Sequence, residues 1–194
     1  LENFKNIYGI AKAKAEIIDN IKEHGTIILN RDDKFFSYLK KKAKSRKLKI
    51  VTFGKNKISD IHPLRTNRDK GLVKIFLKMN NKKIDLEIKN INIYNVLATL
   101  AVIKELSLNL NNIKKILENF EPAEGRGKVH NILRYNKRFK LIDESYNANP
   151  LSVKNAINNF DLIKKNKFKK YLILGDMLEL GRKSEKYHKD LSKV

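Results

Sequence analysis

No cysteine occurs among the 194 residues, which excludes a disulfide framework and a thiolate metal site. That absence fits a reducing compartment such as the cytoplasm. No apolar run approaches the roughly 18 residues that read as a membrane span, so membrane insertion is not expected. No Gly-x-x-x-x-Gly-Lys-[Ser/Thr] loop is present, so a phosphate cradle of that type is missing from this stretch. The chain opens on Leu1 rather than methionine, and no signal-peptide pattern follows it. With the true start in question, that says nothing about targeting. Neither an internal repeat nor a disordered low-complexity tract stands out.

Positive charge is abundant. Lys and Arg number 43 against 21 Asp and Glu, a formal net charge of +22. Such a balance is the footprint of many nucleic-acid-binding domains. Here the lysines are scattered through every segment, including Lys40 to Lys49 and Lys164 to Lys170, rather than gathered on one face with interleaved aromatics. The chain is also rich in Asn and Ile, which points to a general compositional bias. A solvated basic surface is the better reading, and a basic nucleic-acid-binding module is the distant alternative. With 41% hydrophobic residues, the length suffices for one full core or pieces of two.

Periodicity predicts an amphipathic helix from Ile10 to Lys22 with Gly25 as its stop. Thr26 to Leu29 reads as a buried strand with the polar exit Asn30-Arg31-Asp32-Asp33. Asp32 or Asp33 is placed to cap a helix from about Lys34 to Arg46. Leu48 to Phe53, closed by Gly54, completes a parallel βαβ unit. Leu72 to Met79 and Lys83 to Ile88 alternate and are joined by Asn80-Asn81, the pattern of an antiparallel hairpin. Helices follow at Asn92 to Leu106 and Asn112 to Phe120. Glu121-Pro122-Ala123-Glu124-Gly125 breaks the pattern and marks a domain boundary. Beyond it, Ile132 to Tyr135 pairs with Phe139 to Ile142. Asn149-Pro150 caps a helix carrying Val153, Ala156, Ile157, Phe160 and Ile163 on one face. Tyr171 to Leu174 reads as a further strand, and Ser184 opens a last helix.

Several residues stand out for chemistry, each beside a plainer role. At about 100° per residue, Lys14 falls within the stripe of Ile10, Ile17 and Ile21. A lysine there must be paired, neutral or modified, or else snorkel out at the edge. Asn92 and Asn95, spaced i, i+3, are adjacent on a helix surface and suit an adenine edge. The plainer role is a capped helix start. Arg126 at the domain break offers a bidentate guanidinium to a phosphate, or is an ordinary linker arginine. Lys128 is an alternative for the same task. Asn149 reads first as a helix cap, and His188 is either a site residue or a surface one.

The segments that carry most information are two strand exits. They are Leu141-Ile142-Asp143-Glu144-Ser145-Tyr146-Asn147-Ala148-Asn149-Pro150 and Leu174-Gly175-Asp176-Met177-Leu178-Glu179-Leu180-Gly181. Apolar runs that end in polar residues and glycine before a helix present ligand loops at the carboxyl edge of an α/β sheet. Together with Ala11-Lys12-Ala13-Lys14-Ala15-Glu16-Ile17, Asn92-Ile93-Tyr94-Asn95 and Gly125-Arg126, they resemble the Mur ligase family. Within it, the likeness is to the type that adds D-alanyl-D-alanine to UDP-N-acetylmuramoyl-tripeptide. It runs over almost the whole chain but covers less than half of a family member. Tyr146 to Asn149 and the Gly175–Gly181 segment favour this type over other Mur or folylpolyglutamate-type amide ligases.

The resemblance implies an α/β fold in two parts. Residues 1–124 would be the C-terminal part of a central ATPase domain without its phosphate loop. Residues 125–194 would be the first part of a Rossmann-like C-terminal domain. It implies an ATP-dependent, Mg²⁺-assisted ligase of peptidoglycan precursor synthesis that works through an acyl phosphate, as a cytoplasmic monomer. This segment alone is expected to be inactive. By the same resemblance Lys14 would become a carbamate supporting the metal, and Arg126 would bind ATP phosphates. Asn92 and Asn95 would face adenine, and Glu144 the ribose or hinge. Asn147, Asn149, Asp176, Glu179 and His188 would serve the dipeptide. Three positions depart from the family pattern: Ile91 replaces a histidine, Lys89 a glycine, and Glu144 an aspartate. Leu1-Glu2-Asn3-Phe4 is similar to the segment after a metal-binding histidine.

Overall fold

The computed structural model of the chain describes residues 4, 6–69, 72–79, 82–89, 92–163 and 169–194. Two compact units emerge, one of them Ile7–Phe120 and the other containing Glu121–Val194. In the first unit, β1 (Thr26–Asn30), α2 (Phe36–Ser45) and β2 (Lys49–Phe53) follow α1 (Ile7–Ala15). β1 and β2 pair in parallel, from Thr26 opposite Lys49 to Asn30 opposite Phe53. This is the βαβ unit that the strand–helix–strand order predicts.

A second sheet places β4 (Leu72–Met79) between β3 (Pro63–Asp69) and β5 (Lys82–Lys89), all antiparallel. Alternation decides which face is buried. Val73, Ile75, Leu77 and Met79 are buried while Lys74 and Lys78 are exposed, and Ile84, Leu86 and Ile88 continue the inner face. The predicted joint at residues 80 and 81 lies outside the described residues. α3 (Ile93–Glu105) adds Ile93, Val96, Leu97, Leu100, Ala101 and Ile103 to the same core, and α4 (Leu110–Glu118) adds Leu117. β3 was not expected. Its Leu64-Arg65-Thr66-Asn67 stretch is exposed, as suits an edge strand held by backbone pairing rather than burial.

The first helix corrects the periodicity reading. α1 stops at Ala15 and a 3-10 turn takes over at Glu16–Asn20. Ala11, Ala15 and Ile18, spaced i, i+4, i+7, form the buried line, Ile17 is 65% exposed, and Lys14 is exposed rather than set in an apolar stripe. Ile18 and Ala15 pack with Ala43 and Leu48 in a second, smaller core.

In the other unit, β6 (Lys128–Arg134) and β7 (Lys137–Asp143) form a hairpin. Its turn residues Tyr135 and Asn136 both have positive φ, 51° and 56°, as a two-residue type I′ turn requires. α5 (Pro150–Asp161) and α6 (Ser184–Leu191) follow. The Lys170 ammonium donates to the Phe160 and Asp161 carbonyls, each at 3.0 Å, satisfying acceptors that the end of α5 leaves open. Residues 164–168 of the predicted lysine run lie outside the described residues.

Tyr171 to Leu174 form no strand. Among the described residues no β partner lies beside them, and Ile173 is 90% exposed. An apolar run can suggest a strand, but a strand needs a neighbour to take its N–H and C=O groups. The α5 face of Val153, Ala156, Ile157 and Phe160 is half-buried, and Ile163 is exposed.

Candidate functional sites in the two units

At the carboxyl ends of β1 and β2, one carboxylate organises the first unit's loops. Asp32 accepts the Lys55 N–H at 2.6 Å, the Asn56 N–H at 3.2 Å and the Tyr94 hydroxyl at 3.2 Å. A Cβ at Gly54 would lie 2.9 Å from an Asp32 oxygen, so only glycine leaves room for this approach. Loss of solvation, then the bond and charge of Asp32, hold the Tyr94 hydroxyl above its ordinary pKa. Asp32 is thus a tie between loops and not the cap of α2. Asp33 makes a local turn, its carboxylate accepting the Phe35 N–H at 2.7 Å.

Asn92 begins α3 as a cap. Its side-chain oxygen accepts the Tyr94 N–H at 2.9 Å, and its backbone carbonyl accepts the Asn95 N–H at 3.0 Å. The Asn95 side chain lies one turn on and is exposed. Ile91 lies outside the described residues, and so does the Lys89 side chain. Lys14 is exposed on α1 and engages no acid among the described residues.

In the second unit, the turn Gly125-Arg126-Gly127 is laced to the exit of β7. Asp143 accepts the Gly125 N–H at 3.1 Å and the Ser145 N–H at 3.0 Å on its two carboxylate oxygens. The Asp143 carbonyl accepts the Gly127 N–H at 2.7 Å, and the Gly125 carbonyl accepts the Tyr146 N–H at 3.1 Å. Gly125 and Gly127 have φ of +70° and +92°. A Cβ on Gly125 would lie 2.7 Å from the Tyr146 nitrogen. Between them Arg126 is exposed, its guanidinium carbon 4.1 Å from the centre of the Tyr146 ring.

Hydrogen bonds from Ser145, then from the Gly125 amide, hold the Asp143 carboxyl below the usual carboxylate range. Glu144 moves the other way, raised by partial desolvation and then by the Asp143 charge. Its carboxylate faces Gly127, where a Cβ would come within 3.1 Å. The neighbouring Glu124, His130 and Asp143 bring ligand atoms within 4.8 Å of one another. Those atoms already have partners. Glu124 is paired with the Lys128 ammonium and lies 3.3 Å from the His130 Nε2, and Asp143 is bonded to backbone N–H groups. The group is an ion-pair set, and Lys128 is committed to Glu124 rather than free to replace Arg126.

At the start of α5 the side-chain oxygen of Asn149 accepts the N–H groups of Leu151, at 3.1 Å, and Ser152, at 3.0 Å. The Ser152 hydroxyl accepts the Asn149 N–H at 3.0 Å in return. This reciprocal box assigns Asn149 oxygen to the helix, while the Asn147 side chain is exposed.

The Asp176–Glu179 loop is held from inside. Met177 is 2% exposed and its N–H donates to His188 Nε2 at 3.0 Å. The Ser184 carbonyl can only accept, so His188 Nδ1 carries the proton for their 2.9 Å bond. Both ring nitrogens of His188 are therefore engaged, Nε2 by the loop and Nδ1 by the start of α6. Asp176 is exposed, and Glu179 sits at φ 58° on the same turn.

Arg126, Asp143 and Glu144 are thus brought together in one cluster, and Asp176 and His188, 3.9 Å apart, in another. Asp32, Tyr94, Tyr146 and Met177 were missed as organising residues. Their partners are distant in sequence or belong to the backbone, so only the polar strand exits marked their neighbourhood.

Residues 1–103 match the Mur ligase middle domain. A UDP-N-acetylmuramoyl-tripeptide–D-alanyl-D-alanine ligase of Buchnera aphidicola is 30% identical over 190 residues, covering 97% of this chain. A UDP-N-acetylmuramate–L-alanine ligase of Aquifex aeolicus is 28% identical over 163 residues, covering 82% of this chain and 34% of that relative. The crystal structure of MurF from Acinetobacter baumannii superposes with a TM-score of 0.82 at 29% identity, covering 98% of this chain and 40% of that one. The chain spans 40% of the length of the Buchnera relative. With its middle-domain match over more than half its length, the chain belongs to the Mur ligase family.

Proposed function

We propose that this chain is part of an ATP-dependent ligase that joins D-alanyl-D-alanine to UDP-N-acetylmuramoyl-tripeptide through an acyl phosphate. The reading rests most on one observation. Similarity to D-alanyl-D-alanine ligases extends over 97% of the chain, beyond the middle domain and through both strand-exit loops. The Aquifex relative with an L-alanine substrate stops at 82%.

In this reading Arg126 meets ATP phosphates with a planar, bidentate guanidinium. Asn95 turns its exposed amide to the adenine edge, beside Asn92, whose oxygen already caps α3. Glu144 serves the ribose or hinge. Asn147, Asp176 and Glu179 present polar groups to the dipeptide, with Asn149 and His188 fixing the loops that carry them. Lys128, bound to Glu124, takes no part.

Lys14 fits the implied magnesium chemistry in one respect. Its ammonium is exposed and unclaimed by an acid among the described residues, and as a carbamate it would offer oxygens to a hard cation. Magnesium, when bound, offsets charge on phosphoryl oxygens. The enzyme would act as a cytoplasmic monomer. No helix among the described residues is long and apolar enough to cross a membrane.

ADP release by the complete protein, measured with a panel of amines, tests the assignment. Release dependent on both UDP-N-acetylmuramoyl-tripeptide and D-alanyl-D-alanine supports it. Release that prefers L-alanine with UDP-N-acetylmuramate would place the protein among other Mur ligases.

A further inference from the structure

The loop after β7 and the turn that carries Arg126 belong to different motifs in the sequence, yet the structure makes them one object. Three backbone or carboxylate bonds join them. The Gly125 N–H reaches the Asp143 carboxylate, the Gly127 N–H reaches the Asp143 carbonyl, and the Tyr146 N–H reaches the Gly125 carbonyl. Both glycines flanking Arg126 adopt positive φ, and at Gly125 a side chain would collide with Tyr146. The Arg126 backbone is therefore fixed on both sides by the 143–146 loop. Its side chain then meets the Tyr146 ring at 4.1 Å, close for a guanidinium lying on an aromatic face.

We infer that Tyr146 is a positioning residue for Arg126, holding the guanidinium by its ring face rather than serving the dipeptide directly. The inference rests on the assignment of Arg126 to ATP phosphates made above. An exposed arginine has many rotamers, and a flat partner removes some of that freedom before a ligand arrives. The ring supplies the contact, so the hydroxyl is dispensable. Tyr146 is itself 66% exposed, so its replacement leaves no cavity.

The experiment is a double-mutant cycle on the complete ligase, reading KM and kcat for ATP and for D-alanyl-D-alanine. Arg126→Ala should reduce kcat/KM for ATP by about tenfold or more, the scale of a lost hydrogen bond to a charged group. Tyr146→Leu should raise KM for ATP about two- to five-fold, as expected for an exposed cation–π contact, with KM for the dipeptide unchanged. Tyr146→Phe should match the parent enzyme. In the Arg126→Ala background Tyr146→Leu should add nothing.

If Arg126→Ala leaves ATP use intact, the phosphate assignment falls and the positioning role of Tyr146 falls with it. If Arg126→Ala impairs ATP use but Tyr146→Leu does not, the stacking role alone is wrong. The stacking role is equally wrong if Tyr146→Leu costs as much in both backgrounds, if it acts on the dipeptide KM instead, or if Tyr146→Phe behaves like the leucine variant.

Discussion

Ile7–Phe120 gathers a continuous apolar core from Val51 to Leu117, whereas Glu121–Val194 fully buries only Met177 and Leu180 among its described hydrophobic residues. In the first unit, packing of two β-strands against α3 fixes the shape, and the polar loops sit on that base. In the second, directional bonds hold the candidate loops: Asp143 to the arginine turn, Asn149 to α5, His188 to Met177. Packing tolerates sequence change that preserves volume, while each of these ties depends on one atom. The second unit should therefore lose local order from single polar substitutions that the first would absorb.

The widest contrast is between two aliphatic residues. Leu97, 0% exposed in α3, should cost about 2–5 kcal/mol when changed to alanine. Ile173→Ala, at 90% exposure, should stay within about 0.5 kcal/mol. Urea unfolding followed by circular dichroism measures both, since the chain has no tryptophan to report. Equal losses would erase the distinction.

Gly125→Ala comes next. Positive φ and the close approach to Tyr146 should together cost about 1–3 kcal/mol, felt locally. Hydrogen exchange should speed up at the Gly127 and Tyr146 amides, with β4 and α3 unaffected. Asn149→Ala should cost about 1 kcal/mol, seen as faster exchange at Leu151 and Ser152, and Asn149→Ser should restore most of it.

The arginine turn should also respond to acid. Folding holds Asp143 below its ordinary value of 3.8, so the carboxylate's stabilisation is fully present above that value. It is lost as pH falls through the lower, folded value. Amide nitrogen shifts of Gly125 and Ser145, followed by NMR, should titrate together below pH 3.8 and stay flat above it. Titration near neutrality would contradict the tie.

What could be read in advance was local chemistry. The alternation of β4 and β5, the α3 stretch and the Asn149-Pro150 start of α5 each depend on residues within a few positions. β3 was hidden because an edge strand of Leu64-Arg65-Thr66-Asn67 has no apolar alternation to show. On α1 the buried line runs through Ala11 and Ala15 to Ile18 and not through the isoleucine stripe, which leaves Lys14 exposed. Tyr171 to Leu174 had the composition of a strand, but composition cannot supply a hydrogen-bonded neighbour. Within the candidate sites, Asn92 and Asn149 were legible as caps. The Asp32–Tyr94 and Met177–His188 ties join residues 62 and 11 positions apart, beyond the reach of any local pattern. Residues 1–194 alone, without a Gly-x-x-x-x-Gly-Lys loop, should give no ATP-dependent ligation.

The most direct measurement is the mass of the product. The complete protein is supplied with ATP and magnesium, UDP-N-acetylmuramate and its tripeptide derivative, and an equal mixture of L-alanine and D-alanyl-D-alanine. Accumulation of the UDP-muramoyl pentapeptide, with one ADP formed per product, is the result expected. A UDP-muramoyl product carrying a single added L-alanine, with the tripeptide untouched, would contradict it.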